Sequence, residues 1–199
     1  MKFVVLQVGS YGVNCTLATD GESAWAVDPG AEAERIVEAA RSEGVRVAGI
    51  LLTHAHFDHI GAIPALKQIC GDIPVYVHPS DTPMFGHPFN MLPPEYPSVP
   101  KPSNILPACD FPFAEAIETP GHTPGGVSWY FKDDGVLLSG DTLFAGSVGR
   151  TDFPGGSMTR LVDSLSRLVA LPPETKVIPG HGPSTTIGRE KSSNPYIVA

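Results

Sequence analysis

The chain lacks most of the features that would take it out of the class of ordinary soluble domains. Cysteine is sparse: Cys15, Cys70 and Cys109 are scattered without CxxC spacing, which suggests neither a disulfide framework nor a zinc ribbon. A reducing, cytoplasmic compartment is therefore expected. No stretch approaches the roughly 18 apolar residues that a membrane helix requires. The apolar start, Met1 to Val8, is interrupted at Gln7 and followed by no cleavage-like site, so it reads as a first strand and not a signal peptide. Basic residues are few, 13 Lys and Arg against 21 Asp and Glu for a formal net charge of -8. That argues against a nucleic-acid partner, whose phosphates demand clustered cations. The GxSxG signature of a serine nucleophile is missing as well.

What is present is enough apolar residue, 42% of 199, for one well-buried domain. Strand-like segments fall near residues 3 to 8, 13 to 18, 24 to 28, 47 to 52 and 73 to 78, and again near 115 to 118, 126 to 131, 135 to 139 and 176 to 178. Helices are expected from Ala31 to Ser42, ended by Gly44, and from Met158 to Val169. In the second, Met158, Leu161, Leu165 and Leu168 form an apolar stripe and Ser157 can cap. Periodicity alone thus predicts an α/β or α+β domain. Residues 79 to 112 hold ten prolines among thirty-four residues, with Phe85, Phe89, Met91, Leu92 and Tyr96 interspersed. This loop either lines a substrate cleft or packs over an exposed sheet edge.

Five of the seven histidines belong to one ordered set of potential metal ligands. His54, His56, Asp58 and His59 lie in Thr53-His54-Ala55-His56-Phe57-Asp58-His59, and His122, Asp141 and His181 follow later. After the apolar run Ile50 to Thr53, continued extended backbone puts His54 and His56 on one side. Asp58 and His59 fall at a helix start and are expected to face elsewhere, leaving room for a second ion. His122, Asp141 and His181 each end an apolar segment beside glycine, as loop residues past a strand's carboxyl end. Imidazole and carboxylate donors suit zinc or iron, and two such ions about 3.5 Å apart can share a hydroxide nucleophile. His78 and His87 fit no such pattern and need no special role. Thr53, Thr123 and Thr142 flank ligands and are expected to orient them.

The order HxHxDH, GHTPG, GDTLF and PGH, from about Val8 to His181, resembles the metallo-β-lactamase superfamily and, within it, the glyoxalase II group of thioester hydrolases. The tail Gly182 to Lys191 with Asn194-Pro195 is similar to small, single-domain members. The resemblance implies a four-layer αβ/βα sandwich, two mixed sheets packed face to face with helices outside, spanning residues 1–199 as one domain. It implies that His54, His56 and His122 hold one metal, Asp58, His59 and His181 a second, and that Asp141 bridges them. Asp58 and Asp141 would be the catalytic carboxylates around a bridging hydroxide. The metals implied are two divalent ions, zinc or iron, with manganese also compatible.

By the same resemblance the substrate is S-lactoylglutathione or a similar small acyl-thiol, with neither a nucleic acid nor a membrane as partner. Arg150 and Phe153 stand where family members place substrate-binding residues, although the run Gly149 to Ser157 departs from their usual pattern. Arg150 could equally pair with Asp152. The C-terminal helical domain that contributes glutathione contacts in larger glyoxalase II enzymes is not expected, since the chain stops eighteen residues after His181. Superfamily β-lactamases typically carry cysteine at a second-metal position and lack the histidine after the aspartate, so antibiotic hydrolysis is not expected. The string Gly149-Arg150-Thr151-Asp152-Phe153 also resembles mononuclear-iron persulfide dioxygenases. A lactonase is chemically close, and a non-catalytic metal-binding scaffold is a third class. Hydrolysis is preferred because Pro179-Gly180-His181 and the Thr185-Thr186-Ile187-Gly188 tail match the small hydrolases better.

Overall fold

The computed structural model describes residues 1–197. They divide into two compact units, Met1–Asp110 and the residues from Phe111 onward, each built on one mixed sheet.

In the first unit a hairpin pairs β1 (Lys2–Val8) with β2 (Val13–Thr19), and β2 pairs antiparallel with β3 (Ser23–Val27). Asp20 makes the second turn, its Oδ1 accepting from the backbone N of Glu22 and Ser23 at 2.8 Å each. Helix α1 (Ala33–Ser42) crosses over to β4 (Arg46–Leu51), which runs parallel to β3. Its buried stripe of Ala33, Ile36, Val37 and Ala40 has the period that lays one helix face on a core. Short α2 (Phe57–Ile60) and α3 (Ile63–Cys70) lead to β5 (Val75–Val77). The last three residues of β4, Gly49 aside, are buried apolar side chains, as a strand covered on both faces requires.

The proline-rich segment is more regular than its composition suggests. It opens with a 3-10 turn, Pro79–Met84, and ends in β6 (Ile105–Pro107), which pairs parallel with β5 as the last strand of the sheet. An edge position tolerates Pro107, whose missing N–H leaves no interior ladder bond unmade. Between them Phe85, Asn90, Tyr96 and Val99 are buried anchors while most of the intervening residues are exposed, Phe89 reaching 83%. Covering the sheet edge is thus part of what this segment does.

In the second unit β7 (Glu115–Glu118), β8 (Val127–Phe131) and β9 (Val136–Gly140) form an antiparallel meander. A small hairpin, β10 (Leu143–Phe144) and β11 (Ser147–Val148), follows. Helix α4 (Met158–Leu168) then crosses to β12 (Lys176–Pro179), parallel to β9, and β13 (Thr185–Thr186) and α5 (Ile187–Ser193) close the unit. Ser157 caps α4 as expected, accepting from the backbone N of Arg160. The buried stripe of α4 is Leu161, Ser164, Leu165 and Leu168. Met158, expected in that stripe, is 46% exposed, and the buried face of the helix begins only at Leu161. The α/β class is as expected; the strands β6, β10, β11 and β13 and the helix α5 were too short to show a period.

Candidate metal centre

In the first unit the ligand-bearing residues follow β4, and a neighbour follows β3. These strands are parallel, so Asp28 and the Thr53-His54 pair emerge side by side, with Asp28 N donating to Leu51 O at 3.0 Å. Asp28 is 2% exposed and was not picked out in the sequence. Its Oδ1 accepts from Thr53 N at 2.7 Å and its Oδ2 from Thr53 Oγ1 at 2.6 Å. With that proton committed to Asp28, the Thr53 oxygen, 3.0 Å from His54 Nδ1, can only accept there, which leaves Nε2 as the lone-pair nitrogen of His54. Asp28 Oδ2 also lies 3.1 Å from His59 Nδ1. One buried carboxylate thus orients the His54 ring through Thr53 and lies at ion-pair distance from His59.

Asp28, His54 and His59 have donor atoms within 4.8 Å of one another and are all buried. Both oxygens of Asp28 accept from Thr53, which places this carboxylate on the Nδ1 side of the His54 and His59 rings. The ring of His56 lies edge-on to that of His54 at 4.8 Å, as the shared side predicts. His59 does not face elsewhere: its ring sits 4.1 Å from His54's, with Nε2 3.8 Å from Asp58 Oδ2. The peptide around these residues is held by the proline-rich segment. Buried Asn90 accepts from Phe57 N at 2.9 Å and donates to Ala55 O at 2.8 Å, and Asp81 Oδ2 accepts from Ala55 N at 3.2 Å.

In the second unit three expected ligands converge. Oδ2 of Asp141, just past β9, lies 3.5 Å from Nε2 of His122 and 3.7 Å from Nε2 of His181, the residue after the turn that ends β12. These separations exceed a good hydrogen bond but suit donors that share an ion, since tetrahedral bonds of about 2.0–2.1 Å put ligand atoms ~3.3 Å apart. His122 Nδ1 donates to the carbonyl of Arg150 at 2.7 Å, so its Nε2 carries the lone pair. Gly149 is required beside it, because a Cβ there would come within 1.8 Å of Asp141 O. The donor set in each unit fits a divalent metal: buried or half-buried imidazoles, with the outer nitrogens of His54 and His122 oriented, and carboxylates at ligand-to-ligand distance.

Thr142, expected to orient a ligand, instead donates to Thr119 Oγ1 at 3.1 Å. The Arg150 guanidinium grips Asp152 through two bonds of 2.7 and 2.6 Å and lies 4.1 Å above the Phe153 ring. Bonding to Arg150 holds the Asp152 carboxyl down at about 2. His78 and His87 accept local turn bonds from Ser80 N and Phe89 N.

The Metallo-beta-lactamase superfamily profile matches residues 8–181. A probable metallo-hydrolase of Bacillus subtilis, YqgX, is 38% identical over 99% of this chain and 98% of its own length. Hydroxyacylglutathione hydrolase GloC of Haemophilus influenzae is 35% identical, with the same coverage of 99% and 98%. Among solved structures, the BLEG-1 B3 metallo-beta-lactamase superposes at a TM-score of 0.89 with 35% identity over 100% of both chains. TTHA1623 in a di-iron-bound form gives 0.84 with 39% identity over 97% of this chain and 99% of that one. The chain has their fold. It belongs to the metallo-β-lactamase superfamily and, with metallo-hydrolases among its full-length relatives, is a metal-dependent hydrolase.

Proposed function

We propose that this chain is a thioesterase of the hydroxyacylglutathione hydrolase type, working as a single domain with a pair of divalent ions. His54, His56 and His122 would hold one ion, Asp58, His59 and His181 the other, and Asp141 would serve both. The observation that carries the thioester reading is the full-length likeness to GloC. When bound, such ions supply Lewis acidity and lower the pKa of water from 15.7 to about 7.

The chain's own residues supply the rest. Asp28, by way of Thr53, and the Arg150 carbonyl fix which nitrogens of His54 and His122 carry lone pairs. The Asp58 carboxylate would accept the proton of the attacking water, and the Asp141 carboxylate would help to position that water. A thiolate leaving group, with a pKa near 8.5, departs without a dedicated general acid. Arg150 and Phe153 form the substrate contact, the guanidinium carbon 4.1 Å from the ring centroid and the Nη1 side, opposite the Asp152 pair, turned to a substrate carboxylate. The exposed tip of the proline-rich segment around Phe89 supplies an apolar wall to the cleft. Scattered cysteines support a cytoplasmic setting. Zinc and iron both suit the donor set, and the di-iron form of TTHA1623 supports iron.

The test is steady-state hydrolysis of S-D-lactoylglutathione by metal-quantified protein, with Asp141→Ala as the control for adventitious metal. Turnover lost in the control is the expected result; no turnover at two metals per chain would reject this thioester. The likeness to BLEG-1 favours a β-lactam as a second substrate, against the expectation from Asp58-His59, so a cephalosporin is assayed in parallel. One iron per chain with oxygen uptake on glutathione persulfide would replace hydrolysis with dioxygenation.

A further inference from the structure

The tail after the last ligand carries two fully buried polar side chains, Glu190 and Asn194, both at 0% exposure. Oε1 of Glu190 accepts from Thr185 Oγ1 at 2.6 Å, and Oε2 accepts from Gly146 N at 2.8 Å and Asn194 Nδ2 at 2.8 Å. Asn194 Nδ2 also donates to Ser147 O at 3.0 Å. Gly146 lies in the turn of the β10–β11 hairpin and Ser147 opens β11. That hairpin begins just after Asp141 and leads out through Gly149 to Arg150, whose carbonyl accepts from His122 Nδ1. One short segment therefore touches two metal-ligand positions of the second unit at its ends and is held in the middle by Glu190 and Asn194.

A buried carboxylate is a poor way to fasten a turn for stability alone, since apolar contacts would do as well without the desolvation penalty. Directional bonds to Gly146 N and Ser147 O do what apolar packing does not: they fix where the turn sits.

We infer that Glu190 and Asn194 are positioning residues for the metal centre, acting through the β10–β11 hairpin on Asp141 and on the Arg150 carbonyl behind His122. The inference rests on the reading of His122 and Asp141 as ligands. Its test is the Zn2+ affinity of the full chain, measured by competition with a chromophoric chelator well below each variant's Tm, with circular dichroism to confirm folding. Glu190→Ala and Asn194→Ala should weaken Zn2+ binding about tenfold or more, the range for partners behind metal ligands. Glu190→Gln should restore it, because the amide oxygen can still accept from Gly146 N and Asn194 while its NH2 turns to the Thr185 hydroxyl. If Glu190→Ala does not fold, Asn194→Ala and Glu190→Gln carry the test. A lowered Tm with wild-type Zn2+ affinity would mean structural support only and would overturn the inference. A wild-type chain that binds no Zn2+ would overturn the ligand assignment and the inference together, whereas tight wild-type binding matched by the variants overturns the inference alone.

Discussion

Oδ2 of Asp28 sits 3.1 Å from Nδ1 of His59 and 2.6 Å from the hydroxyl of Thr53, which itself meets Nδ1 of His54 at 3.0 Å. Through these contacts one carboxylate decides the tautomer of His54 by way of Thr53 and stands at ion-pair distance from His59. Asp28→Ala should therefore lower metal affinity by about 10–100-fold while leaving all seven expected ligands in the chain. Metal content after dialysis against a chelator reads this directly, and wild-type retention would show that Asp28 has no such role.

Gly149→Ala brings a Cβ to 1.8 Å of the Asp141 carbonyl, so the backbone beneath a ligand has to move. A shift of this order costs on the order of 10²-fold in turnover. Gly135→Ala is the contrast: its φ of +61 strains alanine by about 1–2 kcal/mol, yet nothing lies within 4 Å of its Cβ. It should lower Tm and spare kcat. Equal kinetics for the two variants would refute the steric account.

Asn90 ties the proline-rich segment to the ligand peptide. Asn90→Ala leaves Phe57 N and Ala55 O without that partner, which should destabilise the chain by about 1–3 kcal/mol in urea unfolding. Phe89→Ser, at the exposed tip, should stay within about 0.5 kcal/mol of wild type and act on KM instead. An unchanged KM for every substrate would remove the tip from the cleft.

Asp152 is solvent-exposed, and its carboxyl is held at about 2 chiefly by the Arg150 side chain. A depressed folded pKa means that the interaction is fully present above the ordinary value near 4 and is lost as pH falls from there toward 2. In Arg150→Ala the carboxyl titration followed by NMR should move up toward the ordinary range. A midpoint that stays near 2 would assign the shift to the backbone.

His54, His56, His122, Asp141 and His181 were legible in the sequence because each follows an apolar strand at a glycine-flanked turn or in an HxHxDH run. Asp28 carries a fainter version of the same signal, Asp-Pro-Gly after β3, but a single carboxylate has no spacing to set it apart. The Arg150 carbonyl left no signal, since any residue supplies one. Asn90 looked like one more polar residue in a proline-rich loop.

The sequence by itself determined the donor chemistry, the α/β alternation and the long helices α1 and α4, because ligand identity is a property of side chains and amphipathic periods are local. Tertiary structure alone decided which atoms stand behind those ligands. Asp28 reaches the His59 side because β3 and β4 run parallel with Val27 opposite Leu51, and Glu190 reaches Gly146 because α5 folds back on a hairpin 44 residues earlier. Such contacts join residues far apart in the chain through buried hydrogen bonds, and no local period encodes them.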